Sequence, residues 1–72
     1  MTYIWMTHTE HSHTLFKQHP DYKIPQRMAW VSPTCDMNFK YRACIAETRQ
    51  HEWFKSLDEA KDWAQAVVLH TH

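Results

Sequence analysis

Apolar and polar residues alternate most clearly between residues 39 and 47. Four apolar side chains fall on one side of an extended chain there: Phe39, Tyr41, Ala43 and Ile45. A period of two with one apolar side is typical of an antiparallel strand that is buried on one face. We therefore predict a strand over residues 39–47 that packs these four side chains against a core.

The segment before it, residues 27–32, is the expected pairing partner, because the residues between the two segments are rich in turn formers. The predicted pairs are Ser32 with Phe39, Trp30 with Tyr41 and Met28 with Ala43. This register places Met28 and Trp30 on the apolar face. A slip of one residue would turn Arg27 toward the core, so the hydrophobic pattern favours the register chosen.

Other segments give weaker β patterns. Residues 2–7 are β-branched and aromatic, which favours a first strand, and residues 51–55 favour a short last strand. A short second strand is expected at residues 15–17, after a polar connector over residues 7–14. Two prolines predict a loop over residues 19–25, since proline cannot donate to a sheet's hydrogen-bond ladder.

The segment from residue 56 onward predicts a helix. Ser56 and Glu59 have the spacing of a capping box, in which the serine side chain caps the first turn. Apolar side chains then recur at helical spacing and form one stripe, with Trp63 on its flank. The stripe consists of Leu57, Ala60, Ala64, Val67 and Val68. His70 and His72 fall near the negative end of the helix dipole.

Neither the helix nor the sheet can bury its apolar side alone, so the two are expected to pack together. The chain has 72 residues, enough for one small domain. We predict a single α+β domain over residues 1–72. Its small antiparallel sheet of three to four strands is covered on one face by a single C-terminal helix.

Composition excludes several classes of protein. Eight basic residues balance eight acidic ones, which argues against a strongly basic nucleic-acid tail. The chain has no glycine, so glycine-rich phosphate loops and the GXXG clamp of KH domains are excluded. The start of the chain lacks the features of a signal peptide, and no apolar run approaches the ~20 residues of a membrane helix. We expect a soluble cytoplasmic protein that makes no membrane contact, with Cys35 and Cys44 as free thiols.

Histidines are the residues with metal-binding chemistry. His8, His11 and His13 form an H-x-x-H-x-H pattern, and two of them share a side if the segment is extended. That geometry suits zinc, copper or nickel. A third and fourth ligand are not evident at metal-site spacing. We therefore favour a solvated polar connector, and expect no metal or other cofactor.

Catalysis is not expected either. Cys35 and the scattered histidines lack an orienting third group and an oxyanion hole. The carboxylates of Asp58, Glu59 and Asp62 fall on the solvent side of the predicted helix. The pattern predicts a non-enzymatic protein.

A binding surface is predicted where basic and aromatic residues are left uncovered. In the predicted register, Arg27, Lys40 and Arg42 share the sheet face away from the helix. Tyr22 and Trp53 lie in a loop and a short edge segment, and exposed Trp, Tyr and Arg dominate protein–protein hot spots. The alternative is that the surplus aromatics form a satellite cluster under residues 14–25. We predict that these five residues contact a protein partner.

Nucleic acid is the second candidate partner. Phosphates suit the basic side chains, but RNA-binding sheets carry stacking aromatics on the same face. The predicted register places the large aromatics under the helix instead. A histidine-based metal-binding protein is the third alternative.

The order of a hairpin, a short strand and the segment F-x-S-L-D-E-A-K-x-W-A, Phe54 through Ala64, resembles small phage and mobile-element proteins, among them anti-CRISPR inhibitors. The resemblance covers residues 26–69 and is one of architecture. It implies a β-meander with one helix that acts in the cytoplasm of a bacterial host. The partner would be a larger host protein or ribonucleoprotein complex, whose nucleic-acid path or nuclease recruitment is blocked. HicB-type antitoxins also place a strand before such a helix, but their glycine-bearing turn is absent here.

Overall fold

A computed structural model describes the backbone of residues 2–71 and the side chains of residues 2–70. Five strands precede one helix: β1 Thr2–Thr9, β2 Ser12–Gln18, β3 Gln26–Pro33, β4 Tyr41–Ile45, β5 His51–Phe54 and α1 Leu57–Thr71. His72, which we expected beside His70 at the helix end, lies outside the described residues.

Each strand pairs antiparallel with its neighbours in sequence, which gives one sheet in the order β1-β2-β3-β4-β5. The α+β class with a single helix packed on one face of the sheet is confirmed. The expected three to four strands are corrected to five.

The additional strand length comes from the polar segment that we predicted to be a connector. Residues 7–14 instead close a tight hairpin between β1 and β2. Cross-strand side-chain hydrogen bonds hold it: Thr7 Oγ1 lies 3.1 Å from His13 Nδ1, and His8 Nε2 lies 2.8 Å from Thr14 Oγ1. Polar residues suit these strand ends because their side chains pair with one another across the hairpin.

The register predicted between β3 and β4 is wrong. Trp30 opposes Cys44 rather than Tyr41, and Val31 opposes Ala43. Trp30 therefore lies on the sheet face away from Tyr41 and away from the helix. Phe39, expected in the core, precedes β4 and is 36% exposed. The actual register buries the compact side chains of Ala29 and Val31 beneath the helix, where the indole of Trp30 would keep the two layers apart.

Strand β3 contains a bulge. Leu15 opposes Ala29 but Phe16 opposes Arg27, so Met28 is an extra residue in β3. A bulge lets two successive residues point to about the same side, and Met28 and Ala29 are both buried. The bulge returns Arg27 to the uncovered face, where we predicted it, although the predicted register is wrong.

The helix begins and packs as the sequence indicates. Ser56 Oγ accepts a hydrogen bond of 3.2 Å from the Glu59 N–H, which is the predicted N-cap contact. Three stripe residues are fully buried, and Leu57 and Val67 are partly buried. The buried apolar core consists of Leu15, Met28, Ala29, Val31, Ala43, Ile45, Ala60, Ala64 and Val68.

Candidate functional site

The sheet face opposite α1 is uncovered by any described element, and we call it the open face. Its position follows from the register, because residues that oppose one another across strands point to the same side. Its large side chains are Ile4, Met6, Phe16, Arg27, Trp30, Arg42 and Trp53. The open face therefore combines aromatic, aliphatic and basic residues.

Arg27 and Trp30 form the first basic–aromatic pair of the open face. The Arg27 guanidinium carbon lies 4.8 Å from the Trp30 ring centroid, within cation–π range. Trp30 is half-buried and Arg27 is exposed. Stacking on a ring uses none of the guanidinium's five N–H donors, so they remain free to bind a carboxylate or phosphate.

Arg42 and Trp53 form the second pair. They oppose each other across β4 and β5. Trp53 is 41% exposed, and its ring and the His51 ring meet in a T-shaped arrangement with a centroid distance of 4.9 Å. A T-shaped arrangement is one of the favourable geometries for an aromatic pair, so the contact with His51 supports the position of the Trp53 indole.

An aliphatic patch lies beside these pairs on β1. Ile4 is 48% exposed and Met6 is 49% exposed, and Phe16 opposes Ile4 across the hairpin. Clustered exposed apolar side chains with a polar rim mark interaction sites more often than scattered ones do. Together the patch and the Arg–Trp pairs form a surface that spans the sheet from β1 to β5.

Charge is segregated between the two sides of the molecule. Glu52 is the only acidic residue in the five described strands, and it opposes Ala43 on the helix side. Helix α1 carries three exposed carboxylates and one lysine. The chain is neutral in total, but its open face holds two arginines and no carboxylate.

The structure brings together three of the five predicted site residues. Arg27, Arg42 and Trp53 lie on the open face. Lys40 is exposed in the connection before β4, at one end of the sheet. Tyr22 is 62% exposed in the loop between β2 and β3, at the other end, with its ring 4.9 Å from that of His19.

Sequence reasoning missed Trp30, Ile4 and Met6 as members of the surface. One signal was present for β1: residues 3–6 are apolar without interruption, which indicates a strand with two apolar faces. The placement of Trp30 depends on the β3–β4 register. The expectation that the large aromatics lie under the helix, which counted against nucleic acid, is therefore wrong for Trp30.

The three candidate metal ligands do not converge. His8 bonds Thr14 on the open side, whereas His13 is buried on the helix side. His11 Nδ1 lies 2.8 Å from the Tyr41 hydroxyl. Among the described residues, no group of three or more His, Cys, Asp or Glu side chains is placed to hold a metal.

No pocket is found in the described part of the chain. Cys35 and Cys44 are free, and no described helix is long and apolar enough to cross a membrane. No protein-family model, curated protein or solved structure matches the chain. The open face is therefore the candidate site of this chain.

Proposed function

We propose that this chain is a non-enzymatic binding module whose open face docks on an acidic and partly apolar surface of a protein partner. The observation that carries the proposal is that two Arg–Trp pairs lie on one sheet face that has no carboxylate. Tryptophan and arginine are the residue types enriched at hot spots. Guanidinium groups select a partner that presents carboxylates.

The aliphatic patch favours a protein over other anionic partners. Ile4 and Met6 are about half exposed beside the Arg–Trp pairs. A protein partner buries such side chains against its own apolar groups and gains free energy from every Å² removed from water. A phosphate backbone offers them no equivalent contact.

The resemblance to anti-CRISPR inhibitors supplies a finer form of the proposal. The partner is then a subunit of a nuclease complex in the cytoplasm of a bacterial host. Nucleic-acid paths in such complexes are basic, so the basic open face is repelled by them. We therefore favour inhibition by blocking nuclease recruitment at an acidic surface over occupation of the nucleic-acid path.

Matched variants test the use of the open face. Arg42→Ser removes a guanidinium from the open face, and Arg49→Ser removes one from the β4–β5 turn. Ile4→Ser and Ile24→Ser form a second pair, since Ile24 is 80% exposed in a loop. A partner captured from host lysate should lose about 30-fold in affinity with Arg42→Ser, as expected for a hot-spot arginine. The Arg49 and Ile24 variants should bind within about twofold of wild type.

Cross-linking identifies the surface that the partner presents. A photo-reactive residue in place of Trp53 should mark a partner segment rich in Asp and Glu. Co-elution with a purified CRISPR effector, with displacement of its nuclease, supports the finer form. Equal binding by the Arg42 and Arg49 variants, or cross-links only from the helix side, would contradict the use of the open face.

Single-stranded nucleic acid is the second candidate, and one observation favours it. The open face places the rings of Phe16, Trp30 and Trp53 on a sheet with two arginines, which is the combination that base stacking and phosphate contacts use. Two phosphate contacts on a single strand give a salt slope of about −1.4.

Tryptophan fluorescence with an oligonucleotide tests this candidate. Affinity should fall about sevenfold between 50 and 200 mM salt if both arginines contact phosphates. Arg42→Ser should halve the slope, and Arg49→Ser should leave it unchanged. An absence of binding at low salt removes nucleic acid and leaves the protein partner as the proposal.

A further inference from the structure

The two edge strands of the sheet differ in how well they are protected against pairing with another chain. The β5 edge is four residues long, contains Glu52 and packs against α1. The β1 edge is eight residues long and contains no Asp, Glu, Lys, Arg or Pro. Proteins protect edge strands with charges, prolines, short lengths and bulges, and β1 has only a bulge between Thr7 and Thr9 at its end.

The β1 edge is also open for hydrogen bonding. Strand β1 pairs with β2 alone among the described elements, so the backbone N–H and C=O groups along its outer side have no sheet partner. Helix α1 packs against β3, β4 and β5. Its contacts with β1 are made by side chains, since Trp5 Nε1 donates to Gln65 Oε1 at 3.1 Å and Lys61 Nζ lies 5.1 Å from the Trp5 ring centroid. Neither contact blocks the backbone edge.

A second copy of β1 fits this edge. Antiparallel pairing about a two-fold axis perpendicular to the sheet keeps every side chain on its own face. Odd-numbered residues of β1 must therefore oppose odd-numbered residues of the second copy, and even-numbered residues must oppose even-numbered ones. A register centred on Trp5 pairs Ile4 with Met6 of the second copy, and Met6 with Ile4 of the second copy. Both side chains are half exposed in a single copy. In this register each of them packs against an apolar side chain of the other copy, so the pair of contacts forms twice.

We propose that two copies of this chain associate through β1 in this antiparallel register and form a continuous ten-stranded sheet. Both helices then lie on the same side, separated by β1 and β2 of each copy, which is about 20 Å at the usual strand spacing. The two open faces join into one surface with four Arg–Trp pairs. This proposal rests on the unpaired, uncharged β1 edge and does not depend on the proposed function.

Sedimentation velocity over a wide range of protein concentration tests the association. The wild-type chain should show a monomer–dimer equilibrium. The double variant Ile4→Lys/Met6→Lys places like charges opposite each other twice across the two-fold axis. It should weaken the dimer by about tenfold or more. The control Ile24→Lys/Met37→Lys makes the same changes at loop residues that are 80% and 99% exposed, and it should dimerise as the wild type does.

Isotope-filtered NMR on a mixture of labelled and unlabelled chains separates edge pairing from packing between open faces. Edge pairing gives intermolecular NOEs between β1 backbone protons and slows exchange of β1 amides as concentration rises. A wild-type chain that stays monomeric at every concentration overturns the inference. A dimer whose intermolecular NOEs come from the Trp30 and Trp53 rings, with fast exchange along β1, overturns it as well.

Discussion

Arg49 lies in the turn between β4 and β5 with a positive φ of 60°. The left-handed region costs an L-residue about 1–2 kcal/mol, and glycine is the usual occupant. This chain contains no glycine. Two backbone bonds hold the turn: the Arg49 N–H donates to Ile45 O at 2.9 Å, and the Ile45 N–H donates to Gln50 O at 2.8 Å. The turn thus places an arginine in a conformation that it disfavours.

Arg49→Gly should therefore stabilise the fold. Glycine relieves the steric cost, but it also raises the conformational entropy of the unfolded chain, so the expected net gain in unfolding free energy is about 0.5–1 kcal/mol. Urea denaturation followed by far-UV circular dichroism measures it. Arg49→Ala removes the same charge and keeps Cβ, and should give no such gain. Equal stability of the two variants would show that charge, rather than backbone conformation, sets the energy of this turn.

At the scale of elements, α1 and the sheet meet across alanines. Ala60 and Ala64 of the helix and Ala29 and Ala43 of the sheet are all 0% exposed. Side chains of this size allow close approach of the two layers, and a close-packed interface leaves no space for added methyl groups.

A pair of alanines on α1 tests this contact. Ala64→Leu adds volume at the buried position and should lower the unfolding free energy by about 1–3 kcal/mol. Ala66→Leu makes the same change on the exposed side of the helix, where the effect should stay within about 0.5 kcal/mol. Thermal and urea melts of both variants measure the difference. A small effect at residue 64 would mean that the helix lies farther from the sheet than described.

The elements differ in how well the sequence predicts them. Helix α1 is predictable because its signals are local: Ser56 caps it, and its apolar stripe lies within one segment. The pairing of β3 with β4 is not, because residues 28–31 are apolar without interruption and alternation therefore specifies no face. The bulge at Met28 has no sequence signal of its own. The strands at residues 7–14 depend on hydrogen bonds that form only after the hairpin closes.

At the scale of the whole molecule, the neutral net charge conceals two unlike sides. Carboxylates lie on the outer side of α1, and the guanidinium groups of Arg27 and Arg42 lie on the open face. Arg42 was predictable as part of the candidate site, because outward strand positions favour charged residues, whereas Arg27 reaches the open face only through the bulge at Met28. The tryptophans of the site were predictable only in part: Trp53 follows from its short edge strand, whereas Trp30 requires the true register.

Strand order follows chain order throughout this sheet, and no connection between strands exceeds seven residues. Loops this short lose little entropy on closing, so each hairpin can form as soon as its second strand emerges from the ribosome. Helix α1 is synthesised after all five strands, so both faces of the sheet are exposed to solvent until the helix packs on one of them. During that interval the sheet has no complete hydrophobic core, so fast hairpin formation is what protects it from aggregation.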